Sequence, residues 1–558
     1  MTKRAVVAVW LVCLAACGGA RTAGSPSRFA ADADAFYWSY YERNPKEGVV
    51  LGHHRFDGRL PDVSPAALAA WGAAMARAEA TLAAYAPASL SPTERLEREV
   101  LLRRIAGDRF QLERLRVPFR VPMYYLLPLE LTYYVSRDYA PAAERAKAVA
   151  AIARGTRAYL EQAAANLPPR VPRPWIATTM LMVAGARSFV AKDVPAAFGA
   201  FAGAPELPAA LADMDAALAQ FGRTVAAREP TDDFALGEKD LLDYLDATEG
   251  VRVDLATLRR IADEALARDS QAIAAAARAV DPAGDVAAVV RRLPRPPVDG
   301  VVAAAARQAQ EMRRFLVDKD IVTIPADDPA EVRETPPFMR WNFAFLDSSG
   351  AFEPRPLPSF YYVTPPEPDW PREKRLAFLP SEVDLLFTTI HEVWPGHFLH
   401  KLHIDRNPSR ILKSFCSYQM SEGWAHYAEE MMWDQGVGGG DPKVHIGQLT
   451  NALLRDVRFA SALGLHAGGM SVAGSARLFL TRAYAGDEEA MQQAVRGTFD
   501  PLYFNYALGK VIINKLRADW MKATGKGLKA FHDAFLDHAC APLPIIRREM
   551  MGEAGSLL

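Results

Sequence analysis

Residues 386-LFTTIHEVWPGHFLH-400 and 421-SEGWAHYAEE-430 carry most of the information in this chain. The first stretch is an apolar helical run entering His391-Glu392, with a second histidine, His397, beyond a Pro-Gly pair. The second places Glu422 at the start of another helical segment. Two imidazoles, an adjacent carboxylate and a distant carboxylate form a donor set suited to Zn2+, which takes three protein ligands and keeps one open position when catalytic. The spacing is unusual. Zinc helices carry histidines four residues apart, on one face. Here the separation is six, which at about 100° per residue turns the second ring roughly 240° away in a regular helix. Pro395 cannot donate to the turn before it, and Gly396 permits backbone paths closed to other residues. The sequence therefore predicts a broken or bulged helix that returns His397 to the face of His391. His400 or His403 is the alternative partner if the helix stays regular.

On the second segment, residues 422, 426, 429 and 430 share a helical face. Glu422 is expected as the third ligand, and Glu429 or Glu430 as the carboxylate that orients a histidine, with Glu429 preferred. Trp424, Tyr427, Met431 and Met432 make the rest of the segment apolar, so carboxylates buried there need partners. His426 is a candidate substrate contact.

The rest of the chain sets the frame. It has 558 residues, with 65 Lys plus Arg against 66 Asp plus Glu, a net charge of −1. No basic face is suggested, so nucleic-acid binding is not expected. Residues 30–320 read as successive alanine-rich helices, such as the serine-capped SPTERLEREVLLRRIAGDRFQLERL, and form a helical scaffold. Residues 321–558 hold the zinc-site region, predicted to be continuous with that scaffold. The texture changes around FMRWNFAFLDSSGAFEPRPLPSFYYVTPP, rich in proline and aromatics, where LDSSGAF reads as a turn between short strands. Such a strand can offer its edge to an extended peptide, or simply cover the core. The expected fold is mainly α, a large multi-helix metallopeptidase-like fold with a small β element before the zinc helix.

Lys3 and Arg4 precede a short apolar run, which reads as a signal peptide over residues 1–16. Leu14-Ala15-Ala16-Cys17 resembles a bacterial lipobox, which implies lipidation of Cys17. Residues 17–29 then form a tether, and Gly18 rather than Asp points to the outer membrane, facing the periplasm. Cleavage after Ala20, giving a soluble periplasmic protein, is the alternative. Cys416 and Cys540 either pair in that oxidising compartment or remain two buried thiols. The sequence sets no oligomeric state.

HEVWPGHFLH and SEGWAHYAEE resemble the signature motifs of the bacterial DUF885 family, HExxPGHxxQ and EGWAxYxE. LGHHRFDGRLPD at 51–62, PSFYYVTPP at 358–366, RFASALGLHAGGMS at 458–471 and FDPLYFNYALGK at 499–510 extend the likeness over nearly all of the mature chain. The resemblance implies a mostly helical, zinc-peptidase-like protein, often secreted or lipid-anchored. It makes His391, His397 and Glu422 the metal ligands and Glu392 the general base. His400 replaces the usual Gln, Ala462 the usual Asp, and Ala507 stands where lysine is common. His466 and Tyr506, each in a family-like motif, are candidates for stabilising a developing oxyanion. Tyr362 and Arg458 follow as substrate contacts, with Arg458 or Lys510 suited to a substrate carboxylate. His53 and His54 read as structural. The expected activity is zinc-dependent hydrolysis of peptide bonds. A non-catalytic zinc-binding lipoprotein, or an amidohydrolase acting on cell-wall or other non-standard amides, is the alternative.

Overall fold

The computed structural model describes residues 27–199, 203–336, 339–340, 343–552 and 555–558. The signal-peptide and Cys17 expectations, and most of the tether, lie outside the described residues. The fold is mainly α-helical, as the composition predicts. Long helices at Arg28–Arg43, Pro65–Ala83, Pro92–Arg109, Ala142–Asn166, Arg173–Phe198 and Leu207–Ala226 build the N-terminal part. Their starts follow local chemistry. Ser91 and Glu94 form a reciprocal capping box, and Ser27 and Ser64 each accept a hydrogen bond from a first-turn N–H. No helix among the described residues is long and apolar enough to cross a membrane.

Among the described residues five short strands form two sheets. β1 (Arg170–Pro172) and β2 (Glu229–Thr231) pair in parallel. The second sheet has β5 (Ser359–Val363) at its centre. It is flanked by β3 (Ala330–Glu334) in parallel and by β4 (Ala344–Asp347) antiparallel. β5 is buried along its whole length, leaving β3 and β4 as edges. The segment after β4 docks on the N-terminal region. Phe352 N donates to Leu51 O at 2.9 Å, His53 stacks on Phe352, and His54 Nε2 lies 3.0 Å from Glu353 Oε2.

Seven helices matter to the site: α1 (Leu255–Val280), α2 (Glu382–Glu392), α3 (His397–Arg406), α4 (Tyr418–Asp434), α5 (Pro442–Ala467), α6 (Asp487–Phe499) and α7 (Asn505–Thr524). One contiguous apolar core joins Phe36 and Tyr40 of the first helix to Trp424 of α4 and Phe535 near the C-terminus. α4 and α7 cross at Gly423 and Gly509, where a Cβ on either glycine would sit 2.7 Å from the other's Cα. That crossing brings the Glu422 face of α4 against the start of α7. Cys416 and Cys540 form a disulfide, Cα atoms 4.6 Å apart, and Ser417 N donates to Cys540 O. The covalent tie sits one residue before the N-cap of α4, the helix that carries Glu422 and Glu429.

Candidate metal centre

The helix carrying His391 is started and stopped by identifiable residues. Ser381 and Asp384 close a capping box at its N-terminus. At its C-terminus Val393 N makes the last regular bond, to Thr389 O. The chain then leaves the helix, and Gly396 N returns to Ile390 O at 3.0 Å, six residues back. Leu399 N makes a second six-residue return, to Val393 O. The two extra residues are taken up here, and α3 restarts at His397. Gly396 is required by close approach: a Cβ at this position would lie 1.8 Å from the carbonyl oxygen of His391. Trp424 Nε1 donates to Pro395 O at 2.9 Å, so α4 anchors the break from the opposite side.

The break brings the two rings together. Their centroids are 4.8 Å apart, with ring planes near perpendicular. Glu422 Oε2 lies 3.4 Å from His391 Nε2 and 3.3 Å from His397 Nε2. This oxygen is buried and makes no hydrogen bond of acceptable geometry. Both distances to Glu422 suit a tetrahedral ion, whose ligand atoms, at about 2.0–2.1 Å from the metal, stand about 3.3 Å apart. All three donor atoms lie within 4.8 Å of one another. His391, His397 and Glu422 form the one cluster of three possible metal-ligating side chains found among the described residues.

A buried hydrogen-bond chain fixes His391 from behind. Glu429 Oε1 is 2.6 Å from His391 Nδ1, leaving Nε2 aimed at Glu422. Glu429 is fully buried, with Arg455 Nη2 3.4 Å from Oε1 and His426 Nδ1 3.5 Å from Oε2. Burial opposes its charge, but Arg455, His426 and His391 outweigh that cost and hold the carboxyl well below the usual range. Burial likewise opposes protonation of His391, but its contacts with Glu422 and Glu429 lift the imidazole to about 9. A metal bound at Nε2 would therefore displace a proton. Glu392 is the next residue on α2 and is partly exposed; its Oε2 accepts from Leu346 N of β4 at 2.9 Å.

A model of a bacterial protein family of unknown function, DUF885, matches residues 45–550. The chain belongs to the DUF885 family. A solved structure from Shewanella oneidensis, described as a candidate lipoprotein of unknown function, is 22% identical. It superposes with a TM-score of 0.77, covering 94% of this chain and 100% of that one. A second, from Colwellia psychrerythraea and also described as a candidate lipoprotein, is 14% identical with a TM-score of 0.76, covering 94% and 98%. No curated protein matches.

The remaining expected site residues of this DUF885 chain fall into two groups. Tyr506 of α7 is near the centre: its ring lies 6.2 Å from that of His391, almost parallel. Arg458 of α5 stands over the Tyr506 ring at 4.9 Å. The others are drawn elsewhere. His466, in the last turn of α5, places Nε2 2.7 Å from Gly497 O. At 1.5 Å per residue it lies roughly 16 Å along the helix from Arg455. Lys510 is 1% exposed and ion-paired to Glu430 at 2.8 Å, and His426 is fully buried behind Glu429. Neither reaches the solvent a substrate would arrive through. Tyr362 packs with Phe345, Phe360 and Met339 on one face of β5. The adjacent Tyr361 points the other way, its hydroxyl 3.2 Å from Thr389 Oγ1 on the metal-site helix. His400 and His403 bond the carbonyls of Ala539 and Thr323 and leave the pairing to His391 and His397. Sequence reasoning missed Arg455 and Leu346. Arg455 belongs to a run of polar residues at helical spacing on α5, but nothing local ties it to Glu429.

Proposed function

We propose that this protein is a zinc-dependent peptidase. The observation that carries the reading is the convergence of His391 Nε2, His397 Nε2 and Glu422 Oε2, with Glu392 next in sequence to His391 at the end of α2. These three side chains would hold the ion, and Glu429 would keep His391 in the ligating tautomer. A zinc ion so bound supplies a Lewis acid and a water whose pKa is lowered to about 7. Glu392 accepts the proton of the attacking water on a carboxylate oxygen and returns it to the leaving nitrogen. Tyr506, whose ring lies 6.2 Å from that of His391, would donate toward charge developing on the carbonyl oxygen. β4 is an edge strand whose Leu346 N already faces Glu392, so an extended peptide could add to the sheet beside the base.

We further propose that the chain is exported and lipid-anchored through Cys17, at the outer membrane facing the periplasm. The charged-then-apolar start, the lipobox-like Leu14–Cys17 and Gly18 support this, as do the descriptions of both structural neighbours. The Cys416–Cys540 disulfide fits an oxidising compartment. Labelling with a radioactive fatty acid should mark the wild type and not Cys17→Ser.

The activity test pairs metal content with cleavage of a mixed peptide library. Glu392→Gln should keep stoichiometric zinc and lose turnover by a factor of about 10²–10⁴. Undiminished cleavage by the zinc-loaded variant would remove Glu392 from the mechanism. Zinc without any cleavage by the wild type would favour a non-catalytic zinc lipoprotein, and cleavage of muropeptides alone would favour an amidohydrolase.

A further inference from the structure

Two buried guanidinium groups, Arg455 and Arg458, and one partly exposed, Arg496, lie near the metal centre, and they differ in what balances their charge. Arg455 lies 3.4 Å from the Glu429 carboxylate. Arg496 of α6 is paired with Asp500 at 2.9 Å. Arg458 is 7% exposed, yet no carboxylate among the described residues comes within ion-pair distance of it. Its Nε donates to the neutral Gln493 Oε1 at 2.9 Å, and its guanidinium stands over Tyr506. Glu489, an acidic side chain that feels its charge, lies beyond ion-pair distance. Burying a cation without an anion is costly, and its neighbour Arg496 adds repulsion. A planar fork of donors held this way is suited to a carboxylate, which it can grip with two parallel hydrogen bonds.

Its position says which carboxylate. Tyr506 is the common neighbour of His391, 6.2 Å ring to ring, and of Arg458, 4.9 Å from ring to guanidinium. At about 3.5 Å per extended residue, the path from His391 to Arg458 corresponds to roughly one to three residues of peptide. Lys510, the other cation that could have served, is neutralised by Glu430 and sealed in the core. We propose that Arg458 binds the C-terminal carboxylate of the substrate, so that the enzyme removes one to three residues from the C-terminus of peptides. The proposal rests on the peptidase reading for the hydrolytic step. In that step the C–N bond breaks, water oxygen bonds to the carbonyl carbon, and the water proton leaves on the released amine.

A mixed library of N-acetylated tetrapeptides, made once as free acids and once as C-terminal amides, tests this. Binding is measured by equilibrium dialysis against the full zinc-loaded Glu392→Gln protein, and cleavage by the wild type. The acids should bind at least about tenfold more tightly than the amides. Arg458→Met should abolish the preference and Arg458→Lys should keep part of it. Equal binding of acids and amides, binding of neither, or a preference unchanged in Arg458→Met overturns the proposal. If Arg458→Met does not fold, the acid-to-amide ratio and Arg458→Lys still decide. Acid-selective binding without any cleavage by the wild type would sink the peptidase reading and leave the carboxylate site standing. Equal cleavage of both libraries would do the reverse.

Discussion

Helix α4 contributes to two sets of carboxylates, and they are built differently. On one side Glu430 meets Lys510 Nζ at 2.8 Å and Asn514 Nδ2 at 3.1 Å. Asp269 of α1 takes a bidentate pair from Arg268 at 2.7 and 3.0 Å. Asp456 lies beside Asp269, and burial together with that neighbour's charge pushes its carboxyl well above the usual range, so it keeps its proton. Opposite charges meet at contact distance in this cluster, although Lys510 Nζ and both Asp456 oxygens make no hydrogen bond of acceptable geometry. On the other side Glu422 faces two imidazole nitrogens at 3.3 and 3.4 Å, with no hydrogen bond of acceptable geometry to its Oε2. A buried charge that serves the fold is neutralised at contact distance. A buried charge held slightly apart, with lone pairs converging on one point, is arranged for something that arrives later.

That contrast is breakable. Lys510→Met removes the cation from the Glu430 cluster and leaves Glu430 short of its main partner, and it should cost about 3–5 kcal/mol in chemical denaturation. Glu422→Gln in the metal-free protein loses the charge that faces the two imidazoles at 3.3 and 3.4 Å and should cost less than Lys510→Met does, about 1–2 kcal/mol. The same substitution should weaken zinc binding by more than about 100-fold in a competitive chelator titration. Comparable destabilisation by the two substitutions would erase the distinction between the clusters.

The open cluster also depends on the break between α2 and α3. Gly396→Ala places a methyl 1.8 Å from the His391 carbonyl oxygen, and backbone has to move to admit it. The expected cost is about 1–3 kcal/mol in stability. A fall in zinc affinity should accompany it as His397 moves off the face of His391. An alanine variant with native zinc affinity would show that the six-residue spacing can be bridged without this backbone path.

Much of this was legible in the sequence, for local reasons. Ala-rich periodicity and serine caps gave the helices. Pro395 and Gly396 foretold the break, and the run from Glu422 to Glu430 foretold one shared face. What was not legible depends on partners far away along the chain. Lys510 reads as a free cation until Glu430, eighty residues earlier, is seen against it. Tyr361 and Tyr362 are adjacent, and only the register of β5 says which one reaches the metal-site helix. His466 sits in a family-like motif, yet it bonds Gly497 in the last turn of α5, well away from Glu422. A motif marks a position the fold uses, and the use can be packing as readily as chemistry. The disulfide was an even choice from sequence because proximity across 124 residues has no local signature.

The smallest expected effect lies where the two clusters come nearest each other, at Glu429 and Glu430. These are consecutive residues on α4, one holding His391 and the other holding Lys510. Glu429→Gln keeps the shape and an oxygen acceptor for His391 Nδ1 but removes the charge that Arg455 and His426 face. Outer partners of this kind change metal affinity by about 10- to 100-fold. Glu429→Gln should therefore weaken zinc by that factor, less than Glu422→Gln does. Glu430→Gln, one residue away and equally charged, should leave zinc affinity within about twofold while lowering stability. A chelator titration of both variants decides between a local hydrogen-bond effect and a general loss of buried negative charge. Equal weakening by the two would mean that the clusters act on the metal centre through their summed field, with no special part for the Glu429–His391 bond.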